Sequence, residues 1–366
     1  MEMNQPEFDV AVIGGGPAGA SAAITAARVG ARVVLLEGGE FPRHKVCGEF
    51  VSAESLDVLR DLLRSTRGAE ELLRVAPVVD RTRLFLAGSV VEAPVTPPAL
   101  SIPRYAVDSS LWEAAKQAGV EARSSSEVGA IQGNGPFHLD TSKGEVFARV
   151  VIVAAGRWSK FKARTTIPSG PKWIGVKAHY REQSPARSTD LYFFEHGYCG
   201  VQPVADDVVN ACAMVRCDRA TSLEDVLALH PALAERSSTW QAIMDPVTTA
   251  PLLHLPPQPI RDNMMFVGDA AAFIDPFVGD GISIALRSGQ LAATNLGAFV
   301  HGNGSLTSAL TAYDDVYKRQ FAPLVSAAAQ IRGVLSWPMP ARAFAFELLR
   351  LPGLLPYVIR KTRHTP

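Results

Sequence analysis

Residues 9–19 read DVAVIGGGPAG, from Asp9 to Gly19, and this stretch decides the fold. Asp9 to Ile13 is a short apolar run rich in β-branched residues, ending at glycine as a buried strand does. Ala20 to Val29 follows as a small-residue helix, so the order is strand, glycine turn, helix. Gly14, Gly16 and Gly19 have the spacing of a dinucleotide-binding turn. The first glycine makes the bend, the second lets main chain approach a pyrophosphate, and the third lets helix pack on strand. Beside Pro17 and Ala18, free N–H groups and the positive end of the helix face the phosphates. A second strand, Arg32 to Leu36, ends at Glu37 and Gly38, and the Glu37 carboxylate is spaced to accept from the ribose of an adenine nucleotide. The alternative is a tight turn with a solvated Glu37, and the motif alone leaves FAD and NAD(P) both open.

A second site follows far down the chain. Met264 to Val267 is an apolar strand leading into Gly268-Asp269-Ala270, then Asp275-Pro276-Phe277-Val278-Gly279-Asp280-Gly281, and Ile282 opens a helical pattern to Leu296. Asp269 at a strand end suits the ribityl hydroxyls of a flavin, and the Gly279 to Gly281 turn aims a helix N-terminus where the reduced ring becomes negative. An acidic cap before an Ala-rich helix would explain Asp280 but not the whole run.

With these residues in view, four stretches resemble the FAD-dependent hydroxylases, geranylgeranyl reductases and flavin-dependent halogenases. They are VAVIGGGPAGASAA with LLEGG, FPRHKVCGEF, SIPRYAVDSSLWEAAKQAGV and FVGDAAAFIDPFVGDGIS. The KVCGE form is most similar to the geranylgeranyl-reductase branch. The resemblance implies an α/β fold: a Rossmann-like FAD-binding domain of the para-hydroxybenzoate-hydroxylase type, an interleaved antiparallel-sheet substrate domain, and a helical C-terminal tail. It divides the chain into 1–75, 101–166 and 260–300 for FAD, 76–100 and 167–259 for the substrate sheet, and 301–366 for the tail. It implies FAD, with Arg104 near the flavin and its phosphates. Arg43, Lys45, Val46, Cys47 and Gly48 would run along the ring and ribityl chain. Val128, Ala155, Gly156, Gly268, Pro276, Gly279, Gly281 and Ile282 complete the expected cofactor set.

Val150 to Val153 reads as a buried strand closing on Ala154-Ala155-Gly156 before Arg157-Trp158-Ser159. The hydroxylase branch has an Asp-Gly pair at the matching point, where this chain has Ala155-Gly156, and there is no second GxGxxG. The electron donor is therefore left open between NAD(P)H and a separate flavin reductase. Alternation over Lys172 to Tyr180, Leu191 to His196 and Val208 to Cys217 predicts antiparallel strands roofing a substrate cavity. Tyr198-Cys199-Gly200-Val201-Gln202-Pro203 falls where geranylgeranyl reductases carry YxWxFP and halogenases WxWxIP. Gly200 replaces the second aromatic, which predicts a roomier pocket. No Lys shortly beyond FPRHKVCGEF matches the halogenase lysine, which argues against chlorination.

Lys177, His179 and Tyr198 are the candidate catalytic residues, each able to orient a substrate or relay a proton. Lys177 and His179 share one strand face, which could equally be solvated. Cys47 is expected to touch cofactor, whereas Cys199, Cys212 and Cys217 read as core. Four Cys in 366 residues are too few for a disulfide framework and lack zinc-site spacing, so no metal is expected and the setting reads as reducing and cytoplasmic. With 36 basic and 36 acidic residues, the chain lacks the one-sign field that nucleic-acid binding needs. The acidic N-terminal residues carry no export signal, and no apolar run reaches the roughly 18–20 residues of a membrane span.

Gly333 to Pro366 mixes Trp337, Phe344, Phe346, Leu348, Leu351 and Tyr357 with Arg342, Arg350, Arg360, Lys361 and Arg363. One reading is an interfacial helix touching anionic lipid, giving peripheral membrane contact and entry for a greasy substrate. The favoured one is a helix pair packed on the substrate domain and broken at Pro338, Pro340, Pro352 and Pro356. The expected activity is an FAD monooxygenase of secondary metabolism, using O₂ at the flavin C4a to hydroxylate a phenolic or apolar small molecule. The alternatives are an FAD-dependent reductase of prenyl or polyene double bonds, and a flavoprotein dehydrogenase or non-catalytic electron-transfer flavoprotein.

Overall fold

The strand Phe8–Ile13 is buried at every residue, as a parallel strand covered on both faces must be. A computed structural model describes residues 6–361 apart from 159–160, 162–171, 250, 253 and 255. In it, Phe8–Ile13 pairs in parallel with Val33–Leu36 on one side and Gly144–Val153 on the other. Glu121–Arg123 and Met264–Phe266 extend this parallel sheet outward. The helix Pro17–Arg28 starts three residues earlier than the sequence pattern suggested, because proline is well suited to the first helical position, where its missing N–H needs no partner. A Cβ on Gly19 would lie 1.8 Å from the Gly14 carbonyl oxygen, so only glycine allows this helix to sit on its strand.

The second glycine-rich segment joins the first in space. The helix Gly281–Asn295 packs along Pro17–Arg28, with Ser21 Oγ donating to the Leu286 carbonyl at 2.7 Å. A Cβ on Gly289 would fall 2.1 Å from the Ala18 carbonyl oxygen, which shows how closely the two backbones approach.

Trp173–Arg181, Val208–Arg216, Gly197–Ala205 and Ser188–Phe194 form consecutive antiparallel pairs in a nine-stranded second sheet. Val78–Leu86 joins Ser188–Phe194 in parallel, followed by Ser89–Ser101 and the short strand Phe50–Val51. Phe50–Val51 directly follows KVCGE, so the segment expected beside the ring is tied to the second sheet by its own chain.

Among the described residues the region from 301 holds the helices Leu306–Gln320, Ala322–Leu335, Met339–Leu348 and Leu354–Lys361. Phe346 and Leu355 join a buried cluster with Leu86, Val91, Phe193 and Tyr198, so the tail does pack on the second sheet. The expectation that every proline breaks this region needs correction. Pro340 and Pro356 sit in the first turns of their helices, where N–H groups lack intrahelical partners in any case. Among the described residues no helix is long and apolar enough to cross a membrane. Ser159, the boundary at 166 and 167, and Arg363 lie outside the described residues.

Candidate functional site

Glu37 ends its strand buried. Its Oε2 accepts from Gly15 N at 2.8 Å, its Oε1 accepts from Gly39 N at 2.9 Å, and Arg43 lies 2.7 Å from Oε1. Burial pushes this carboxyl up, but the Gly39 N–H, the Arg43 charge and the Gly15 N–H outweigh it and hold it below the ordinary value. Ser126 N donates to the Glu37 carbonyl at 2.8 Å, bringing buried Val128 into the neighbourhood. Gly38 packs toward Glu127.

A Cβ on Gly16 would meet nothing nearer than Arg104 Nη2 at 3.8 Å. Two bonds to Asp108, at 2.9 and 2.8 Å, fix the Arg104 guanidinium there. The Cys47 thiol is among the groups that raise the Arg104 pKa, so the glycine turn and KVCGE meet at this side chain. A Cβ on Gly48, Gly156 or Gly281 would meet nothing within 4 Å. Gly268 N donates to Ser288 Oγ at 2.9 Å beside half-buried Asp269. Gly279, at φ +74, closes the turn that begins at Pro276, and Ile282 is buried behind it. Val46 abuts Gly175, while Lys45 and Ala155 are exposed.

These residues fit FAD on observations of the chain itself. Glycines that a Cβ would leave open face the same region as two helix N-termini, and Arg43 Nε is buried there without a hydrogen-bond partner. Glu37, Gly38 and Val128 would hold the adenosine end, Gly16 and Arg104 the phosphates, and Gly48 with the Pro276–Gly279 turn the ring.

Beyond Gly48 a cavity of about 360 Å³ opens between the second sheet and the C-terminal helices. Gly48, Phe50 and Pro276 to Gly279 form its inner end; Leu191, Phe193, Tyr198, Gly200, Gln202 and Cys212 come from the sheet; Arg342, Phe346 and Leu349 come from the tail. No Asp, Glu, His or Lys lines it among the described residues. Burial pushes the Tyr198 hydroxyl well above the usual tyrosine range and raises the Cys212 thiol likewise. Cys199 is buried as expected, its thiol pushed up to about 12, whereas Cys217 is half-exposed rather than core. Arg342 donates to the Phe194 carbonyl at 3.1 Å. Gly200 lines the cavity, and a Cβ there would approach Leu191 Cδ2 at 3.3 Å, so an aromatic at this position would consume the space.

Lys177 and His179 share a strand face as their alternation predicts, but they do not line the cavity. Both turn to Glu49. Lys177 Nζ contacts Glu49 Oε1 directly, His179 Nε2 lies 2.8 Å from Glu49 Oε2, and Arg104 N donates to Oε1 at 2.8 Å. Glu49, Lys177 and His179 are 0%, 0% and 4% exposed, so this is a buried charge cluster. His44 stacks edge-on to His179, and burial, then the charges of Lys177 and His179, lower its pKa. Burial pushes the Glu49 carboxyl up, but the His179 hydrogen bond and then the Lys177 charge outweigh it and hold it below the ordinary value. Its backbone, at φ +63, occupies the left-handed region that non-glycine residues rarely enter. Sequence reasoning took Glu49 only as the end of the segment from Arg43 that runs along the flavin and missed its pairing with Lys177 and His179. The available signal was an acid placed directly before the apolar pair Phe50-Val51, since a buried carboxylate requires partners.

The architecture and this cradle define an FAD-dependent flavoprotein oxidoreductase. The chain belongs to the FAD binding domain family, whose model matches residues 7–328. It is 26% identical over 338 residues to digeranylgeranylglycerophospholipid reductase 2 of Methanopyrus kandleri, covering 86% of this chain and 83% of that one. It is 24% identical over 326 residues to the 1H-pyrrole-2-carbonyl-[peptidyl-carrier protein] brominase of Pseudoalteromonas luteoviolacea, covering 81% and 79% of the two chains. The structure of a flavin-dependent brominase superposes with a TM-score of 0.78 at 22% identity over 97% of this chain and 93% of that one, a likeness of fold.

Proposed function

We propose that this protein is an FAD-dependent reductase that saturates a carbon–carbon double bond in an elongated apolar molecule of prenyl or polyene type. One observation carries the reading. The cavity wall is predominantly apolar, its polar side chains are Thr82, Thr189 and Gln202, and its ionisable groups other than Arg342 are a hydroxyl and a thiol that burial keeps protonated. Bound FAD supplies hydride transfer and, when reduced, reaction with O₂. The walls from Leu191, Phe193 and Phe346 exclude water and orient a hydrocarbon chain along the cavity. Tyr198 keeps its proton at neutral pH, and in this reading its hydroxyl would give that proton to the carbon opposite the one that receives hydride and be reprotonated from solvent before the next turnover. The similarity to a digeranylgeranylglycerophospholipid reductase supports the same class of substrate. The electron donor in this reading is NAD(P)H, acting directly or through a separate flavin reductase.

Hydroxylation of a phenolic substrate is the second reading, favoured by one observation: Arg342 brings a cation to the cavity wall, where it would hold a phenolate or carboxylate. Incubating reduced holoprotein with prenyl, polyene and phenolic compounds, with and without air, separates the two. The reductase reading expects products heavier by two hydrogens under anaerobic conditions. Products heavier by one oxygen, formed only in air, would replace it with the second.

A further inference from the structure

We propose that the outer face of the C-terminal helices docks on an anionic lipid surface, placing the wall of the apolar cavity against the membrane. Six of the ten large apolar side chains left exposed among the described residues fall within residues 337–357. They are Trp337, Met339, Phe344, Leu348, Leu351 and Tyr357, with Phe344 69% exposed. Scattered singly, such residues need no explanation; gathered on one short segment, they do.

The helix Met339–Leu348 is apolar on both sides. Arg342, Phe346 and, one turn on, Leu349 face the cavity, while Phe344 and Leu348 face out. Protein covers one side of this helix only, and the other presents Phe344 and Leu348 to solvent with Glu347 between them. The charge of the segment selects the occupant. With Arg342 turned to the cavity, residues 343–366 still carry Arg350, Arg360, Lys361 and Arg363 against the single acid Glu347, which pairs with Arg350 at 3.0 Å, in a chain whose formal charge is zero. Lys361 Nζ lies 5.7 Å from the centre of the Tyr357 ring, a basic and aromatic pairing suited to an interface wet on one side and apolar on the other. Helices of this kind settle about 5–10 Å into the headgroup region. Since the same short helices line the cavity from within, docking them leaves about one helix diameter, roughly 10 Å, between lipid and cavity.

The inference goes beyond the proposed reaction and is tested without turnover. Purified FAD-loaded protein is sedimented with vesicles of phosphatidylcholine alone and of phosphatidylcholine with phosphatidylglycerol, at low and high salt. The expected result is co-sedimentation with the anionic vesicles, falling as salt rises. The double substitution Phe344→Glu and Leu348→Glu is expected to weaken partitioning roughly tenfold or more, with flavin content and melting temperature unchanged. Ile243→Glu, at an exposed apolar residue elsewhere, is expected to leave it as in wild type. Wild-type protein that stays in the supernatant, or a double variant that binds as well as wild type, overturns the proposal. A wild-type dimer that ignores vesicles and that the double substitution dissociates also overturns it, and assigns the face to a second copy of the chain.

Discussion

Replacing Glu49 with glutamine keeps the size of the side chain and removes the carboxylate charge that pairs with fully buried Lys177. Breaking a buried ion pair by removing one partner costs about 3–5 kcal/mol. At about 2.1 cal/mol/K of unfolding entropy per residue, a cooperative chain of 366 residues would lose roughly 4–7 °C in melting temperature. The assay is a double-mutant cycle by circular dichroism with Glu49→Gln, Lys177→Met and the pair. The pair is expected to be less destabilised than the sum of the single changes, because removing both charges leaves no unpaired ion. The pH dependence has a definite sign. Glu49 is held below its ordinary value in the folded chain, so its contribution is fully present above the usual carboxylate range and is lost as pH falls through the lowered folded value. The gap between wild type and Glu49→Gln is therefore constant near neutrality and closes in acid. A Glu49→Gln protein within about 1 kcal/mol of wild type at neutral pH, well short of the cost of an unpaired buried ion, or single effects that simply add, would refute the reasoning.

Gly19→Ala is expected to abolish flavin uptake and lower stability, since its Cβ would lie 1.8 Å from the Gly14 oxygen. Gly16→Ala, with its nearest neighbour at 3.8 Å, is expected to fold normally and lose flavin affinity; absorbance per protein together with melting curves separates the two. Tyr198→Phe is expected to slow product formation about 100-fold or more if its hydroxyl supplies the proton, with flavin content unchanged; equal single-turnover rates would remove Tyr198 from the mechanism. Because burial raises the Tyr198 pKa, wild-type turnover should show no loss from tyrosine deprotonation through pH 10, which a pH–rate profile checks. Gly200→Trp is expected to fill the cavity and raise KM for the largest substrates most; an unchanged substrate range would mean that the substrate binds elsewhere.

Much of the cofactor cradle was legible from local chemistry. Gly19 is forced by the Gly14 carbonyl five residues away and Gly14 turns at φ +105, while Gly16 keeps open space for a ligand, and Glu37 follows one helix later at the end of the neighbouring strand. The convergence of residues 14–19 with 268–289 was legible too, because each segment alone is half of one recognisable device, and the structure packs the two helices together. Tyr198 and Gly200, placed near the ring by the resemblance of their stretch to the reductase and halogenase patterns, line the cavity.

The sequence by itself determined the two glycine turns and the strands that lead into them, because those features depend on neighbours a few residues away, while the flavin was implied by the resemblance of four separate stretches to one family. Tertiary structure alone decided that Lys177 and His179 face a carboxylate instead of the cavity. Period-two alternation states which side chains share a face but not what lies opposite, and the partner here, Glu49, stands 128 residues from Lys177 along the chain. The cavity was likewise undecided by sequence, since its walls are drawn from the second sheet, the turn before Gly281–Asn295 and the C-terminal helices, and exist only where those surfaces meet.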